Sequence, residues 1–444
     1  MSYINRKIFE LAYTSMGRKE IAFYNNALRL NELSYDEQIE LQNENLRRLI
    51  QYSYNNVPYY NKLFKLLNLH PQDIDTKDDL YKLPILNKEI IRNNYNDFFP
   101  PKPFSSRYFN CTTGGSTGTS LKYRCSEECY SLGVALMYRG WGYSGYKIGD
   151  SVFFFGGGSI IKGEESYRAK LSYKLRNLHP YSSLGVSNDD FKLIIERVRR
   201  LNPSFFRGYA SSLYLLARFV EDSGGINKIG IRPPVAVFTT AEMLYPKQRE
   251  VIESVMQTKV YNNYGLNDGG VSAYEHHGVG GLLIDTERSI LECVNMEGHS
   301  VINQEGRILA TSLFNYDFPF IRYDTGDLGV VSDEYLLNGG KRLILKALLG
   351  RATDFLEVNE KKIGSPALTV IMGKTDAHKY QIIQRGDLLR ILIDRGDTFD
   401  DRQEQFIRSS LESYLGKVKL SFEYTDQFVQ SNNKHKFIIK EKGL

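Results

Sequence analysis

Nine consecutive residues combine the types needed to grip a phosphate chain. Thr112-Thr113-Gly114-Gly115-Ser116-Thr117-Gly118-Thr119-Ser120 interleaves three glycines with six hydroxyl side chains. Glycines let the backbone bend until several N–H groups converge, and the hydroxyls add donors, a combination suited to polyphosphate oxygens. The same composition also fits a polar surface turn. Two commoner nucleotide loops are excluded. A Walker loop ends in Gly-Lys-Ser/Thr, whereas Gly118 is followed by Thr119-Ser120. No Gly-x-Gly-x-x-Gly stands at this position between a strand and a helix.

Such a loop needs a rigid frame. Residues 36–65 are polar with Leu41, Leu46, Leu49 and Ile50 at helical spacing, which predicts a helical N-terminal region over residues 1–100 with a break at Asn56-Val57-Pro58. Val152 to Phe155 runs into Gly156-Gly157-Gly158, as a buried strand ending in a glycine loop would. Helical spacing at 191–201, 211–220 and 246–256, with the β-rich run Val235 to Phe238 among them, gives strand–helix alternation. The expectation is an α/β N-terminal domain, residues 1–350, with mostly parallel sheets. After Gly350-Arg351 the pattern becomes short strands at 388–393 and 418–424 around a helix at 403–415, a small α+β C-terminal domain over 351–444.

Further segments accompany the loop in order: Asn56-Val57-Pro58-Tyr59-Tyr60, Asn202-Pro203 through Gly208-Tyr209-Ala210-Ser211-Ser212-Leu213, Thr240-Ala241-Glu242, and Asn263-Tyr264-Gly265-Leu266-Asn267-Asp268. Arg322-Tyr323-Asp324-Thr325-Gly326-Asp327, Gly350-Arg351 and Asn433-Lys434-His435-Lys436-Phe437 follow. Together with the loop they resemble the motifs of the adenylate-forming superfamily. The closest likeness is to its phenylacetate-coenzyme A ligase-like branch, including relatives associated with capsular polysaccharide synthesis, and it covers nearly the whole chain.

The resemblance implies a ligase that uses ATP and Mg²⁺ to convert a carboxylic acid into an acyl-adenylate and then passes the acyl group to coenzyme A. A carboxylate is a poor electrophile, so its oxygen must attack the α-phosphorus and expel pyrophosphate, and the barrier is largely one of charge. On the resemblance, Thr112 to Thr119 hold the terminal phosphates, and Thr240-Ala241-Glu242 form the adenine-side turn. Asn263-Tyr264-Gly265 border the nucleotide, with the Tyr264 ring offered to adenine, and Asp327 accepts the ribose hydroxyls. Asp268 bears on magnesium, directly or through water, although the superfamily has Thr or Ser followed by Glu where this chain has Asn267-Asp268. Arg351 lies on the ribose or phosphate side, and the hinge of a mobile C-terminal domain follows at Thr353, beside Asp354. Lys434 is the catalytic lysine, with Asn433 replacing the family's glycine and Lys436 as the other candidate.

The acceptor stays open between coenzyme A and an amine or hydroxyl, as in amide or ester formation during surface polysaccharide synthesis. A catalytically silent relative that binds nucleotide or acyl ligand is the contrasting class. Some relatives carry a metal-bearing insertion where His276-His277 and Cys293 fall. Adjacent histidines with one cysteine sixteen residues on lack the paired spacing of a strong zinc motif, so zinc is the minor reading beside plain packing.

The remaining composition bounds the class. The 444 residues carry 57 basic and 52 acidic side chains, a net charge of +5 without long like-charge blocks, which points away from nucleic acid as a partner. Four scattered cysteines fit a reducing compartment, and no apolar run of roughly 18 residues suggests a membrane span. A cytoplasmic enzyme is expected, compatible with a homodimer.

Overall fold

The computed structural model of the protein describes residues 2–15, 17–112, 121–156, 167–183, 188–335, 340–351, 355–358, 361–364, 368, 371–372, 374–431, 434–435 and 437–441. The N-terminal region is helical, as its spacing predicts, with helices Ser2–Ser15, Glu20–Leu30, Tyr35–Asn56, Pro58–Leu66 and Lys88–Asn93. Ser34 starts the longest of them with a capping box, its hydroxyl accepting from Glu37 N–H and its own N–H bonding the Glu37 carboxylate at 2.8 Å. Val57 is extended, and Pro58 opens the next helix at the one helical position where its missing N–H costs nothing. Leu46, Leu49 and Ile50 then pack with Tyr60, Phe64 and Phe98 in one core cluster.

Eleven strands form the main sheet. In chain order they are β3 (Val152–Gly156), β4 (Leu178–Ser182), β5 (Phe205–Tyr209), β6 (Ala236–Thr240), β7 (Lys259–Leu266), β8 (Val271–Glu275), β9 (Leu282–Ile284), β10 (Ser289–Val294), β11 (Glu305–Ser312), β12 (Tyr323–Tyr335) and β13 (Lys341–Arg351). Their spatial order is β10-β11-β12-β13-β9-β8-β7-β6-β5-β3-β4. The pairings among β4, β3, β5, β6 and β7 are parallel, with helices Asn188–Leu201, Ala210–Asp222 and Pro246–Met256 as crossovers. The pairings from β7 through β10 are antiparallel. The α/β architecture is thus as expected, and the sheet is mixed: parallel order holds for the half whose strand–helix alternation is visible in the sequence. Residues 259–351 pair antiparallel instead, and no crossover helix stands among their described residues.

Two faces of the parallel half are buried differently. Phe153, Phe155, Phe206 and Val237 pack with the crossover helices. Val152, Phe205 and Phe238 pack with Tyr138 and Trp141 of helix Glu127–Gly142, which roofs the other face. Gly208 is required here, since a Cβ would lie 2.0 Å from Phe155 O on the neighbouring strand. A separate hairpin, β1 (Tyr108–Thr112) and β2 (Lys122–Ser126), precedes that helix, with Thr112 opposite Lys122.

Beyond β13, the hairpin β14 (Phe355–Val358) and β15 (Lys361–Gly364) leads to a four-stranded sheet. Its strands are β16 (Ala377–Arg385), β17 (Leu388–Arg395), β18 (Lys419–Tyr424) and β21 (Ile438–Lys440), in the order β18-β17-β16-β21. Helix Asp401–Leu415 covers it through Ile407, Leu411 and Leu415. The short hairpin β19 (Gln430–Ser431) and β20 (Lys434–His435) completes the strands. All four cysteines are free, and no helix among the described residues is long and apolar enough to cross a membrane.

Candidate active site

The turn Thr325-Gly326-Asp327 near the start of β12 is built by local hydrogen bonds. Asp324 Oδ1 accepts from Gly326 N–H at 2.9 Å, and Thr325 Oγ1 accepts from Asp327 N–H at 3.1 Å while donating to Ile308 O at 2.8 Å. Gly326 has φ +76°, a left-handed conformation natural to glycine. The turn delivers Asp327, which is 6% exposed, opposite Arg351 of β13. Arg351 Nε lies 2.9 Å from Asp327 Oδ1, and the Tyr264 hydroxyl donates to Asp327 Oδ2 at 2.7 Å. Burial raises the Asp327 carboxyl, opposed by Arg351 and the Tyr264 hydrogen bond. A carboxylate offers about four lone-pair positions, so Asp327 keeps acceptor capacity beyond these two bonds.

Tyr264 lies in the core cluster with Val271, Ala273 and Ile308 and is 7% exposed, so its hydroxyl reaches the site more than its ring does. Its neighbour Asn263 has a buried Oδ1 without a hydrogen-bond partner. Asp268, in the tight β7–β8 turn, accepts from the Tyr323 hydroxyl at 3.0 Å. The adenine-side turn is strained: Ala241 has φ +64°, a conformation that costs a non-glycine residue on the order of 1 kcal/mol and gathers at functional sites. Glu242 Oε2 accepts from Ser211 N–H at 2.9 Å and so ties this turn to the preceding crossover helix, Ala210–Asp222. Tyr264, Asp268 and the Thr240-Ala241-Glu242 turn stand at the carboxyl ends of β7 and β6, where open α/β sheets bind ligands, and Asp327 and Arg351 meet Tyr264 from the antiparallel strands β12 and β13.

Two sequence-predicted groups belong to other parts of the chain. Thr112 ends β1 opposite Lys122 of β2, and Thr113 to Ser120 lie outside the described residues. Tyr123 of β2 packs edge-on against Phe320, and Phe320 against Tyr323, the residue whose hydroxyl bonds Asp268. At the C-terminus the Phe437 ring meets the Tyr245 ring with centroids 5.1 Å apart, three residues beyond Glu242. In the β19–β20 hairpin Lys434 stands opposite Ser431. Lys436, Asn433, Thr353 and Asp354 lie outside the described residues.

Lys88 is a residue that the sequence did not single out. Leu86 docks beside Tyr323, with Leu86 N–H on Arg322 O at 3.0 Å and Asp324 N–H on Leu86 O at 2.8 Å. Asn87 caps the helix that follows, placing Lys88 in its first turn. There Lys88 is half-buried, lowered by that burial and held up by the charges of Asp268 and Asp327. Its only local signal is an N-cap residue followed by Lys-Glu, which says nothing about a ligand. Arg322 of the same motif has a different task. It sits at φ +55° and is satisfied by Glu292 at 3.0 Å and by Leu83 O and Gly298 O, clamping residues 83–86 to the site.

The donor chemistry fits a hard cation brought with phosphates. Asp268 supplies a carboxylate at the rim, the kind of single acidic ligand that Mg²⁺ takes while keeping water and phosphate oxygens. The zinc expectation is corrected. Among the described residues no three His, Cys, Asp or Glu side chains gather as a metal site. Cys293 is buried in β10 with its thiol on Gln304 O and Gly329 O, whereas His277 sits at the exposed end of β8 bonded to the Tyr261 hydroxyl at 2.6 Å. Packing in the core cluster accounts for the cysteine.

No protein-family model matches the chain. It is 26% identical over 344 residues to Protein CapK of Staphylococcus aureus, covering 77% of this chain and 73% of that protein. It is 26% identical over 314 residues to a phenylacetate-coenzyme A ligase of Aromatoleum evansii, covering 67% and 68%, and 24% identical over 339 residues to that of Escherichia coli, covering 73% of each. Among solved structures, 2-hydroxyisobutyryl-CoA ligase in the postadenylation state shares the fold, with a TM-score of 0.72, 15% identity, and coverage of 92% of this chain and 90% of that one.

Proposed function

We propose that the chain, similar to Protein CapK and to phenylacetate-coenzyme A ligases, is an adenylate-forming enzyme that activates a carboxylic acid with ATP as an acyl-adenylate and transfers the acyl group to coenzyme A. The observation that carries this reading is the pairing of Asp327 with Arg351 and the Tyr264 hydroxyl, with Asp268 following β7 on the Tyr323 hydroxyl and Lys88 on the segment docked beside Tyr323.

In the first step a carboxylate oxygen attacks the α-phosphorus, the bond to the bridging oxygen breaks, and pyrophosphate leaves with its electron pair. Asp327 accepts the ribose hydroxyls and Arg351 keeps it ionised. The hairpin tip holds the β- and γ-phosphates, with Lys88 and Lys434 offsetting charge that builds as pyrophosphate departs. Asp268 would hold Mg²⁺, which when bound with ATP supplies charge neutralisation at the phosphates. In the second step the acceptor thiolate attacks the acyl carbon and AMP leaves. We assign residues 1–350 to the adenylation core and 351–444 to a domain that turns about a hinge beyond Arg351 between the steps. A cytoplasmic location, where ATP and coenzyme A are available, goes with this reading.

Acid-dependent exchange of labelled pyrophosphate into ATP, over a broad panel of acids, tests the first step. Exchange with none of them would leave a nucleotide- or acyl-binding relative as the better description. AMP release with coenzyme A, compared with release with amine and hydroxyl acceptors, tests the second. The likeness to relatives associated with capsular polysaccharide synthesis keeps those acceptors in the comparison.

Two substitutions report on the cations. Lys434→Ala is expected to lower exchange on the order of 100-fold and Lys436→Ala to leave it nearly intact; the reverse pattern moves the role to Lys436. Lys88→Met is expected to raise KM for ATP about tenfold, the worth of one charge-assisted contact, with little change in melting temperature because the side chain is only half-buried. An unchanged KM would remove Lys88 from the phosphate side.

A further inference from the structure

Two arginines beneath the roof helix differ from the deep arginines Arg139 and Arg322. Arg139 pairs with Asp285 and Glu287, and Arg322 pairs with Glu292. Arg207, at the middle of β5, lies instead between the rings of Trp141 and Phe154, at 4.9 and 4.7 Å. Among the described residues its Nη1 meets only Met137 Sδ, at 3.0 Å, and its Nε is buried without a hydrogen-bond partner. Arg176, just past helix Tyr167–Leu175, bonds the Tyr138 hydroxyl at 2.6 Å and is near enough for its charge to weigh on Arg207. Burial is the main cause that pulls Arg207 down to about 10, yet both arginines keep part of their surface accessible. Among the described residues, neither has a carboxylate within ion-pair distance.

Their place in the sheet connects them to the proposed chemistry. Register partners in a parallel sheet share a face, so Phe154, Arg207 and Phe238 form one row under the roof helix. Tyr209 and Thr240, paired at the carboxyl edge, lie on that face two residues, roughly 7 Å, further along. Asn263, with its orphaned Oδ1, borders the same edge, and its cross-strand partner Tyr274 is within electrostatic reach of Arg207. An unpaired guanidinium in a deep, aromatic setting is costly to maintain, and stacking on two rings offsets only part of that cost. A bound anion would complete it, since the planar fork of Arg accepts a carboxylate or phosphate through two parallel hydrogen bonds.

Resting on the adenylation reading, we propose that the acid substrate carries a second anionic group and that Arg207, assisted by Arg176, holds it while the first carboxylate reacts at the strand edge. A dicarboxylate and a phosphorylated monocarboxylic acid share the required chemistry. Arg207 is then the residue that sets substrate class.

The test uses the intact protein and two readouts. In pyrophosphate exchange, the dicarboxylates malonate to adipate and phosphorylated acids such as 3-phosphoglycerate are compared with the monocarboxylates propionate to hexanoate. The dianionic acids are expected to be preferred, and whichever arm is active identifies the source of the second group. Arg207→Met is expected to lower kcat/KM for the preferred acid on the order of 100-fold and to spare or raise that for monocarboxylates, while Arg207→Lys keeps part of the preference. Equal losses for both acid classes, or a monocarboxylate preference in the unaltered protein, would overturn the proposal. Melting-temperature shifts with the same acids and no ATP provide the second readout. A shift with dianionic acids that Arg207→Met or Arg176→Met abolishes supports the anion site even if exchange fails, in which case it is the adenylation reading that falls. No shift together with no exchange overturns the site as well.

Discussion

Asp327→Ala is expected to lower acid-dependent pyrophosphate exchange by roughly 10³-fold, the product of two lost charge-assisted hydrogen bonds to ribose at about 1.5–3 kcal/mol each. The loss should appear mainly in kcat/KM for ATP. The variant also strands Arg351, whose Nε is 2.9 Å from Asp327 Oδ1, and the Tyr264 hydroxyl, so the nucleotide edge loses its organiser as well as its acceptor. Asp327→Asn keeps the shape but cannot pair with Arg351, and should fall between the two. The pH dependence has a definite sign. Burial raises the Asp327 carboxyl above its ordinary value, so the native state binds more protons than the unfolded chain in the window between the two. Its contribution to stability is therefore present at lower pH and is lost as pH rises through the raised value. Ribose binding runs the opposite way, because only the ionised group accepts both hydroxyls. The acid limb of kcat/KM for ATP should lie above the usual aspartate range and disappear in Asp327→Asn. A variant with unaltered KM for ATP would remove Asp327 from the ribose.

Arg139→Met is expected to destabilise the protein by about 3–5 kcal/mol, the usual consequence of stranding buried charges. Arg139 is 4% exposed on the roof helix, between Asp285 and Glu287, and also donates to Ala27 O at 3.1 Å. Asp285 in turn accepts from the Ser272 hydroxyl at 2.5 Å. One guanidinium thus binds the roof helix to the turn between β9 and β10 and to helix Glu20–Leu30, and its removal leaves two carboxylates facing each other. Asp285 already illustrates the balance: burial raises it, and Arg139 is the largest influence holding it down. Thermal or denaturant unfolding of Arg139→Met, and of the variant that adds Asp285→Asn and Glu287→Gln, measures the effect. The triple replacement should recover much of the loss, since the cost lies in the unpaired charges and not in the missing contact. Equal destabilisation in both would mean that packing of the arginine stem dominates.

Local chemistry in the sequence determined a good deal of this protein. Helix Pro246–Met256 and the break at Val57 follow from apolar spacing and from proline acting on neighbouring backbone, and the parallel half of the sheet follows from strand–helix alternation. The residue types of Thr112 to Ser120 and of Thr325-Gly326-Asp327 likewise announce an anion grip and an acidic turn before any fold is known. The antiparallel half was illegible because its spatial order departs from chain order, with β9 paired to β13 and not to β10, and local periodicity does not set which strands pair. Tertiary structure alone decided three further matters. It buried the Tyr264 ring and gave its hydroxyl to Asp327, it folded Cys293 into the core away from His276 and His277, and it carried Lys88 to Asp268 and Asp327 from far upstream in the chain. It also set Arg207 between two aromatic rings without a carboxylate within reach among the described residues. The reason is the same in each case: a side chain's charge and hydrogen-bonding capacity are written in its type, whereas whether those are satisfied depends on neighbours that only chain folding brings within a few ångströms.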